Sequence, residues 1–521
     1  MPERDNNSSP LVTILMPTFN RRNYLPFALK SAVAQNYRNT EIIVVNDGGQ
    51  DISDIVNSFN DERIIFIDRA QNRGKPYSLN EALTRARGKY VCYLDDDDIL
   101  YPTHVEKLVG ALESQTDCQA AYSDLYKVHC RLGPDGNRLA LSKIVEISRD
   151  FDRYFLMYFN HVLHVSLMHR RDLLEKTGPY NENLQVLIDW DMTRRLAFFT
   201  DFIHVHDVTG EFYGPVGECD RISVQQRKDP SKYLRNIMTI RMARPSKPWP
   251  KMKDLSIIYA PDAFDKTAQE LLTKLWVMTF HVFKLILPVP IDQTQNVSIT
   301  MPNLTRLSIA PGLTKQQRID IALGSCEGDY IAVIPDNYTI GHAWVEDPLY
   351  ALMACTEPNQ AILLDKMQQS AFGGVFRAHE LTAARNAFAH LSLEQSLEAA
   401  GIVVRKPKLE ELPFKLDDLL ERAKSYHADG DYQSAAKVFL HTSATCSNSL
   451  WMDQQAALCY FKASRYSQAL DLTTAINRKR PTVDSLILES RICHKINDIS
   501  KAASALEQAK AILQGTCLHG N

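Results

Sequence analysis

The chain of 521 residues is too long for one hydrophobic core and, at about 100 to 200 residues per domain, calls for about three. With 45% hydrophobic and 23% charged residues and a formal net charge of −3, its make-up is that of a soluble globular protein without the basic footprint of a nucleic-acid binder. Ten cysteines scattered singly, with no C-x-x-C pair and no Cys/His zinc spacing, exclude a disulfide framework and structural zinc and point to a reducing compartment.

The opening MPERDNNSSP is polar and lacks the apolar core of a signal peptide, so a cytoplasmic location is expected. Val12 to Met16 then reads as a strand, followed by Pro17 to Arg22 (PTFNRR) and a helical pattern through Leu25, Leu29 and Val33. A second strand, Glu41 to Val45, runs into Asn46, Asp47, Gly48 and Gly49. A third, Arg63 to Ile67, leads to Asn72 to Lys75 (NRGK) and a helix from Ser78 to Arg87 with Asn80 on its first turn. Strand, helix, strand with turn residues at the strand ends is the grammar of a parallel α/β sheet. Backbone N–H groups of a basic, glycine-containing loop that opens a helix favour an anion such as phosphate.

A fourth apolar run, Tyr90 to Leu94, ends in four acids, Asp95 to Asp98, with Pro102 behind them. Packed carboxylates repel one another and are best tolerated where a divalent cation or ligand hydroxyls satisfy their oxygens. Ligands of open α/β sheets sit beyond the carboxyl ends of the strands. That rule gathers Pro17 to Asn20, Asp47 and the Asp95 cluster at one place.

Taken in order, PTFNR, IIVVNDGG, NRG with Asn80, and GKYVCYLDDDDILYP resemble the family 2 inverting glycosyltransferases, whose GT-A fold binds nucleotide sugars. The resemblance covers roughly the first 240 residues and extends to LIDWD. It implies an α/β, Rossmann-like, mostly parallel sheet, with Asp47 accepting from the N3–H of a uracil or thymine and Asp95 facing the ribose. Asp97, with Asp95, would ligate Mg²⁺ or Mn²⁺ on the diphosphate, and Asp96 and Asp98 would support or cap. Pro17, Asn20, Asn72, Arg73, Lys75 and Asn80 would complete the donor site. Leu79 stands where the family often has Arg, so diphosphate contact falls to Arg73 or Lys75.

From Asp150 the texture turns aromatic and histidine-rich, then reads GPYNEN at Gly178 to Asn183 and LQVLIDWDMTRRLA. The resemblance makes this the acceptor half, where an acidic pair supplies the base. Ile188 takes the glutamate position, Asp189 aligns with the base, and Asp191 is the fallback. An isolated carboxylate has a pKa of about 4, so a base role needs desolvation, which Ile188 and Trp190 would provide. A helix cap is the competing use of Asp189. His161, His164, His204 and His206 read as packed or partly exposed, with an acceptor pocket or metal as the alternative. Arg221 and Lys228 lie where the family carries a mobile loop near the donor.

Pro245, Pro248 and Pro250 mark a linker. The apolar stretch Leu271 to Pro290 is interrupted by Lys274, His281 and Lys284 and reads as a buried helix and strand, although peripheral membrane contact stays open. Lys315 to Tyr338 aligns without a gap on Lys75 to Asp98 at a constant shift of 240, with Pro335, Asp336 and Asn337 opposite Asp95, Asp96 and Asp97. This suggests a second, worn GT-A-like domain without the metal site. Beyond Leu416 helical periodicity dominates, and Tyr432 and Tyr466 stand 34 residues apart, the tetratricopeptide period, with Ala435, Ala469 and Ala502 as small packing positions.

Expected domains are therefore 1–244 (catalytic, GT-A), 245–410 (degenerate, α/β) and 411–521 (all-α helical repeats). The expected function is metal-dependent, inverting transfer of a sugar from a UDP- or dTDP-sugar to a hydroxyl of a surface glycan, glycoprotein or peptide. Homo-oligomerisation through the repeats is a further expectation. The rivals are a non-catalytic, peptide-binding scaffold and a sugar-phosphate nucleotidyltransferase. The latter wants a G-x-G loop after the first strand, which PTFNRR does not supply.

Overall fold

A computed structural model describes residues 9–133, 137–216, 229–297, 300–335, 338–341, 343–364, 373–407, 416–445 and 450–514. The chain forms two compact units, one from residues 1–237, 245–250 and 416–521, the other from 238–244 and 251–415.

The first unit opens with β1 (Val12–Thr18), α1 (Leu25–Val33), β2 (Thr40–Asn46), α2 (Ser53–Ser58), β3 (Ile64–Asp68), α3 (Lys75–Arg85) and β4 (Tyr90–Tyr93). Strands β3, β2, β1 and β4 lie side by side and parallel. Every residue of β1, β2 and β4 is buried, which is why they read as near-continuous apolar runs rather than alternating ones. Helix α3 starts three residues earlier than its periodicity predicts. Pro76 sits in its first turn, where a missing N–H costs nothing, and Ala86 is already extended.

One buried carboxylate ties β1, β2 and the approach to β4 together. Glu41 of β2 accepts from Thr13 Oγ1 at 2.6 Å, from the Arg87 backbone N–H at 2.6 Å and from Arg87 Nε at 2.9 Å. The Gly88 N–H in turn donates to Thr13 Oγ1 at 3.0 Å, and a Cβ on Gly88 would stand 2.6 Å from the Thr13 nitrogen. Only glycine fits this crossing, which sets where β4 begins and hence where it delivers its acids.

The sheet continues with β5 (Ile99–Leu100), α4 (His104–Ser114), β6 (Ala120–Leu132), β7 (Arg138–Ile144), α5 (Arg153–Tyr158), β8 (Leu167–Arg170), α6 (Leu173–Thr177), α7 (Ile188–Leu196) and β9 (Phe202–Pro215). Among the described residues the strand order is β3-β2-β1-β4-β8-β6-β9-β5, with β7 on β6. β8 is antiparallel to β4, so the parallel block ends there.

After α8 (Pro230–Met242), the second unit contains β10 (Leu255–Tyr259), α9 (Lys266–Met278), β11 (Phe283–Pro290), β12 (Leu304–Ile309), α10 (Lys315–Leu323), β13 (Tyr330–Ile334), α11 (Glu346–Ala354), β14 (Gln360–Leu363), β15 (Gly374–Arg377), α12 (Ala378–Ala387), α13 (Leu393–Ala399) and β16 (Val403–Arg405). Its strand order, β12-β11-β10-β13-β15-β14-β16, repeats the first sheet through the antiparallel fifth strand. Leu255 lies opposite Tyr330 as Val12 lies opposite Tyr90, and Gly328 N–H donates to Ser256 Oγ at 3.3 Å as Gly88 does to Thr13. Asp336 and Asn337 lie outside the described residues, as do Arg221 and Lys228.

The last helices are α14 (Leu416–Ala428), α15 (Tyr432–Thr445), α16 (Leu450–Lys462), α17 (Tyr466–Lys479), α18 (Val483–Lys495) and α19 (Ile499–Leu513). Tyr432 and Tyr466 each open a helix, and Ala435, Ala469 and Ala502 are buried. Helices α14 to α18 share one apolar cluster with Val145, Tyr126 and Val208 of the same unit, and α19 packs through Ala505 and Ala509 on Val483 and Leu486. Among the described residues no helix is long and apolar enough to cross a membrane.

Candidate active site

The strand ends of β1, β2 and β4 are stitched to one another. Asn20, whose backbone is left-handed at φ 55°, accepts from the Gln50 N–H through Oδ1 at 2.9 Å. The Phe19 N–H donates to Asp96 Oδ2 at 3.3 Å. Pro17 is buried within β1, in register with Val45. At Gly48, φ is 68° and a Cβ would fall 2.3 Å from the Gln71 carbonyl carbon, so only glycine lets the β2 turn touch the loop that opens α3.

Asp47 organises that loop. It is 3% exposed, and its carboxylate accepts from Arg69 Nη1 at 2.7 Å and from the N–H groups of Arg73 and Gly74 at 2.9 and 2.8 Å. About three of its four acceptor positions are thereby in use. Arg69 was not singled out by the sequence; a basic residue directly after β3 is its only signal. Asn72 and Arg73 are exposed, and the Arg73 guanidinium lies 3.3 Å from the centre of the Tyr77 ring.

The four acids differ in surroundings. Lys75 Nζ lies 2.5 Å from Asp95 Oδ1. Asp97 meets Arg138, which donates to its carbonyl oxygen at 2.6 Å and sits 3.8 Å from Oδ2. Arg138 is itself held between the rings of Tyr24 and Tyr213, at 3.8 and 4.4 Å. Asp98 is buried and accepts from the Tyr213 N–H at 3.1 Å. Burial, then the charges of Asp97 and Asp95, push the Asp96 carboxyl up to about 7. Carboxylate oxygens of Asp95, Asp97 and Asp98 lie within 4.8 Å of one another. An all-oxygen set of this size fits a hard cation such as Mg²⁺ or Mn²⁺, and Lys75 supplies compensating charge where that cation would sit.

The segment beyond α6 brings one carboxylate to the same place. Leu187, with φ 60°, takes the N-cap position of α7, and Asp189 sits inside its first turn rather than capping it. Ile188 and Trp190 beside it are buried. Burial raises the Asp189 pKa. Lys75, the Trp190 backbone N–H and Asn160 oppose this, the charge of Asp95 adds to it, and the net shift is upward. Lys75 answers in kind. Burial works against its charge, but Asp95, Asp189 and Asp97 outweigh that and hold it above its usual range. Asp189, Lys75, Asp95 and Asp97 therefore form one electrostatic group.

Asp191 is placed differently. It is 1% exposed and pairs with Arg195 at 2.6 Å, while Arg195 Nη1 donates to the Thr177 and Gly178 carbonyls at 2.7 and 3.1 Å. It anchors α7 to the turn after α6. Asn80 likewise works through the backbone: its amide donates to the Tyr180 carbonyl and Glu182 Oε1, both at 3.0 Å, and accepts from the Tyr180 N–H at 2.8 Å. That clamp holds Tyr180 in a buried cluster in which His164 Nε2 lies 3.0 Å from Tyr180 Oη, the Tyr180 ring meets the Tyr93 ring edge-on with centroids 6.1 Å apart, and Tyr93 Oη lies 2.6 Å from His169 Nε2. Burial pushes His161 and His164 down to about 3, so both are neutral packing groups under the site. His204 and His206 lie away from it, bonded to Asp124 and Asp150.

Residues 13–176 match the family model described as glycosyl transferase family 2. The chain carries a glycosyltransferase family 2 domain. It is 37% identical over 211 residues to an uncharacterized glycosyltransferase of Rickettsia typhi, covering 39% of this chain and 64% of that protein. It is 28% identical over 214 residues to one of Rickettsia prowazekii, with the same coverages. The chain thus spans less than two thirds of the length of these two relatives. A PGL/p-HBAD biosynthesis glycosyltransferase of Mycobacterium bovis is 29% identical over 206 residues, covering 38% and 75%. Among solved structures, Staphylococcus aureus TarS 1–349 in complex with UDP aligns at 18% identity over 44% of this chain and 65% of that one, with a TM-score of 0.35. The glycosyltransferase family 2 match contains Pro17, Asn20, Asp47, Lys75 and the four acids, and it ends before Asp189.

Proposed function

We propose that the chain is a metal-dependent, inverting glycosyltransferase that moves a sugar from a UDP- or dTDP-linked donor to an acceptor hydroxyl. The observation that carries this is the convergence of Asp189, from the half beyond the family match, with Lys75, Asp95 and Asp97. Asp189 takes the acceptor proton as that oxygen attacks the anomeric carbon and the bond to the nucleoside diphosphate breaks on the opposite face. A carboxylate whose pKa is raised by burial is a stronger base than an exposed one. Asp95 and Asp97 would hold Mg²⁺ or Mn²⁺, which when bound would supply positive charge to stabilise the leaving diphosphate. Lys75 faces the same phosphates once it leaves Asp95, and Arg73 is exposed at the loop beside it.

The nucleoside lies along Pro17, Asn20, Asn72 and Asp47, with Asp47 offering its remaining acceptor position to the base. Asp191 and Asn80 act by positioning α7 and Tyr180, and Asp96 by meeting the Phe19 N–H. The three-segment division at 244/245 and 410/411, the worn GT-A-like nature of the second unit, the tetratricopeptide character of α14 to α19 and a cytoplasmic site of action belong to the same proposal. The repeated strand order and the shift of 240 support the second of these. The acceptor is a glycan or a protein or peptide. A peptide acceptor, or the rival reading of a peptide-binding scaffold, would use the cavity of about 290 Å³ between Ile144 and helices α16, α17 and α18, lined by Trp451, Leu458 and Leu488.

Calorimetric titration of the full chain with UDP, Mn²⁺ and both together tests the transferase reading. Metal-dependent UDP binding that disappears in Asp97→Ala is expected; no UDP binding with metal present would sink the reading.

A further inference from the structure

The proposed base is not held by its own helix alone. Asn160 Nδ2 lies 2.8 Å from Asp189 Oδ2. Asn160 Oδ1 meanwhile faces the Val162 N–H at 3.4 Å, and a carbonyl oxygen there leaves only the amide nitrogen to point at Asp189. The loop that presents Asn160 follows α5, whose start is capped by Asp152 Oδ1 accepting from the N–H groups of Tyr154 and Phe155, both at 3.0 Å. Trp190, next to Asp189, donates from Nε1 to the Leu156 carbonyl at 2.7 Å. The loop and the first turn of α7 are thereby locked together, so the amide and the carboxylate cannot drift apart independently. No motif in the sequence marks Asn160, which lies 29 residues from its partner.

Resting on the transferase reading above, we infer that Asn160 is a positioning residue for the base: its amide holds Asp189 Oδ2 and leaves Oδ1 to receive the acceptor proton. A carboxylate with one oxygen fixed has one orientation left, and an off-line oxygen cannot take a proton from the attacking hydroxyl. An N–H donor also favours the ionised form, so it works with Lys75 on α3 against the burial and the Asp95 charge that raise Asp189. Removing it raises the pKa of the base further and disorders its aim.

The experiment uses the full chain labelled with ¹³Cγ aspartate, the Asp189 resonance being assigned by its loss in Asp189→Asn. In Asn160→Ala the Asp189 titration moves to higher pH by about one unit, the worth of one hydrogen bond to a charged group. Asn160→Asp keeps the side-chain volume, so it guards against a folding defect, and it moves the titration further because it replaces a donor by a like charge. With Mn²⁺ and a panel of UDP-sugars, transfer to water falls about tenfold or more in both variants, and the acid limb of its pH profile moves up with the titration. UDP affinity stays within about twofold of wild type, because Asn160 does not touch the donor loop. An Asp189 titration unchanged in both variants, or lost turnover with an unmoved acid limb, overturns the inference. Wild-type protein that hydrolyses no donor while the titration still shifts would overturn the transferase reading and leave the Asn160–Asp189 coupling standing.

Discussion

Replacing Asp47 by alanine separates two roles for one residue. The resemblance to a nucleotide-binding family sets this carboxylate against a base, whereas its surroundings make it the anchor of the loop into α3. Alanine leaves Arg69, itself little exposed, without its anion at 2.7 Å, and leaves the Arg73 and Gly74 N–H groups without their acceptor. Removing one partner of a buried pair costs about 3 to 5 kcal/mol. Arg69 keeps Glu81 at 3.3 Å and Ser78 Oγ at 3.0 Å, which places the loss at the lower end, about 3 kcal/mol. For a unit of a few hundred residues that is a fall of about 6 to 12 °C in the first unfolding transition. Asp47→Asn should be nearly as damaging, because its amide nitrogen would face a backbone donor. Differential scanning calorimetry of the full chain, alongside UDP titration, reads both quantities. A variant that loses UDP affinity with its first transition within about 2 °C of wild type would refute the anchoring argument.

Two further outcomes follow from the charge arrangement. Lys75→Met should move the acid limb of donor hydrolysis to higher pH. The Lys75 charge favours ionised Asp189, so without it the base is protonated, and activity lost, at a pH where the wild type still works; a pH–rate profile with an unmoved limb would contradict the coupling. Arg480→Ala should loosen the helices from the first sheet. Arg480 pairs with the buried Asp124 and donates to His206 Nδ1 at 2.7 Å; Asp124 keeps His204 Nε2 at 2.9 Å and Ser148 Oγ at 3.3 Å, which places the cost of losing Arg480 at the lower end for a buried pair, about 3 kcal/mol. Hydrogen exchange should quicken in α17, α18 and β6, and unchanged protection there would show the contact to be idle.

Much of the cluster at the strand ends was legible in the sequence because its chemistry is local. Strand ends carrying turn residues and acids must gather at one edge of a parallel sheet, and Lys75, Asp95 and Asp47 do converge there. One stretch of the second unit was legible for the same reason: the shift of 240 carries α10, Gly328 and β13 together. Partners that come from distant segments were not. Arg138 reaches Asp97 from across 41 residues, and Asn160 reaches Asp189 from a loop with no pattern of its own.

The helical tail shows the divide most plainly. Periodicity alone gave a helical segment beyond Leu416, the 34-residue spacing of Tyr432 and Tyr466 and the small packing positions Ala435, Ala469 and Ala502. It did not say what that segment covers. The tertiary structure passes over the 165 residues of 251–415 and joins the tail to the first sheet, through Val145, Tyr126 and the Arg480–Asp124 pair. The physical reason is that burial is non-directional: a sequence specifies which surface must leave water, while only the folded chain decides which other surface is there to meet it.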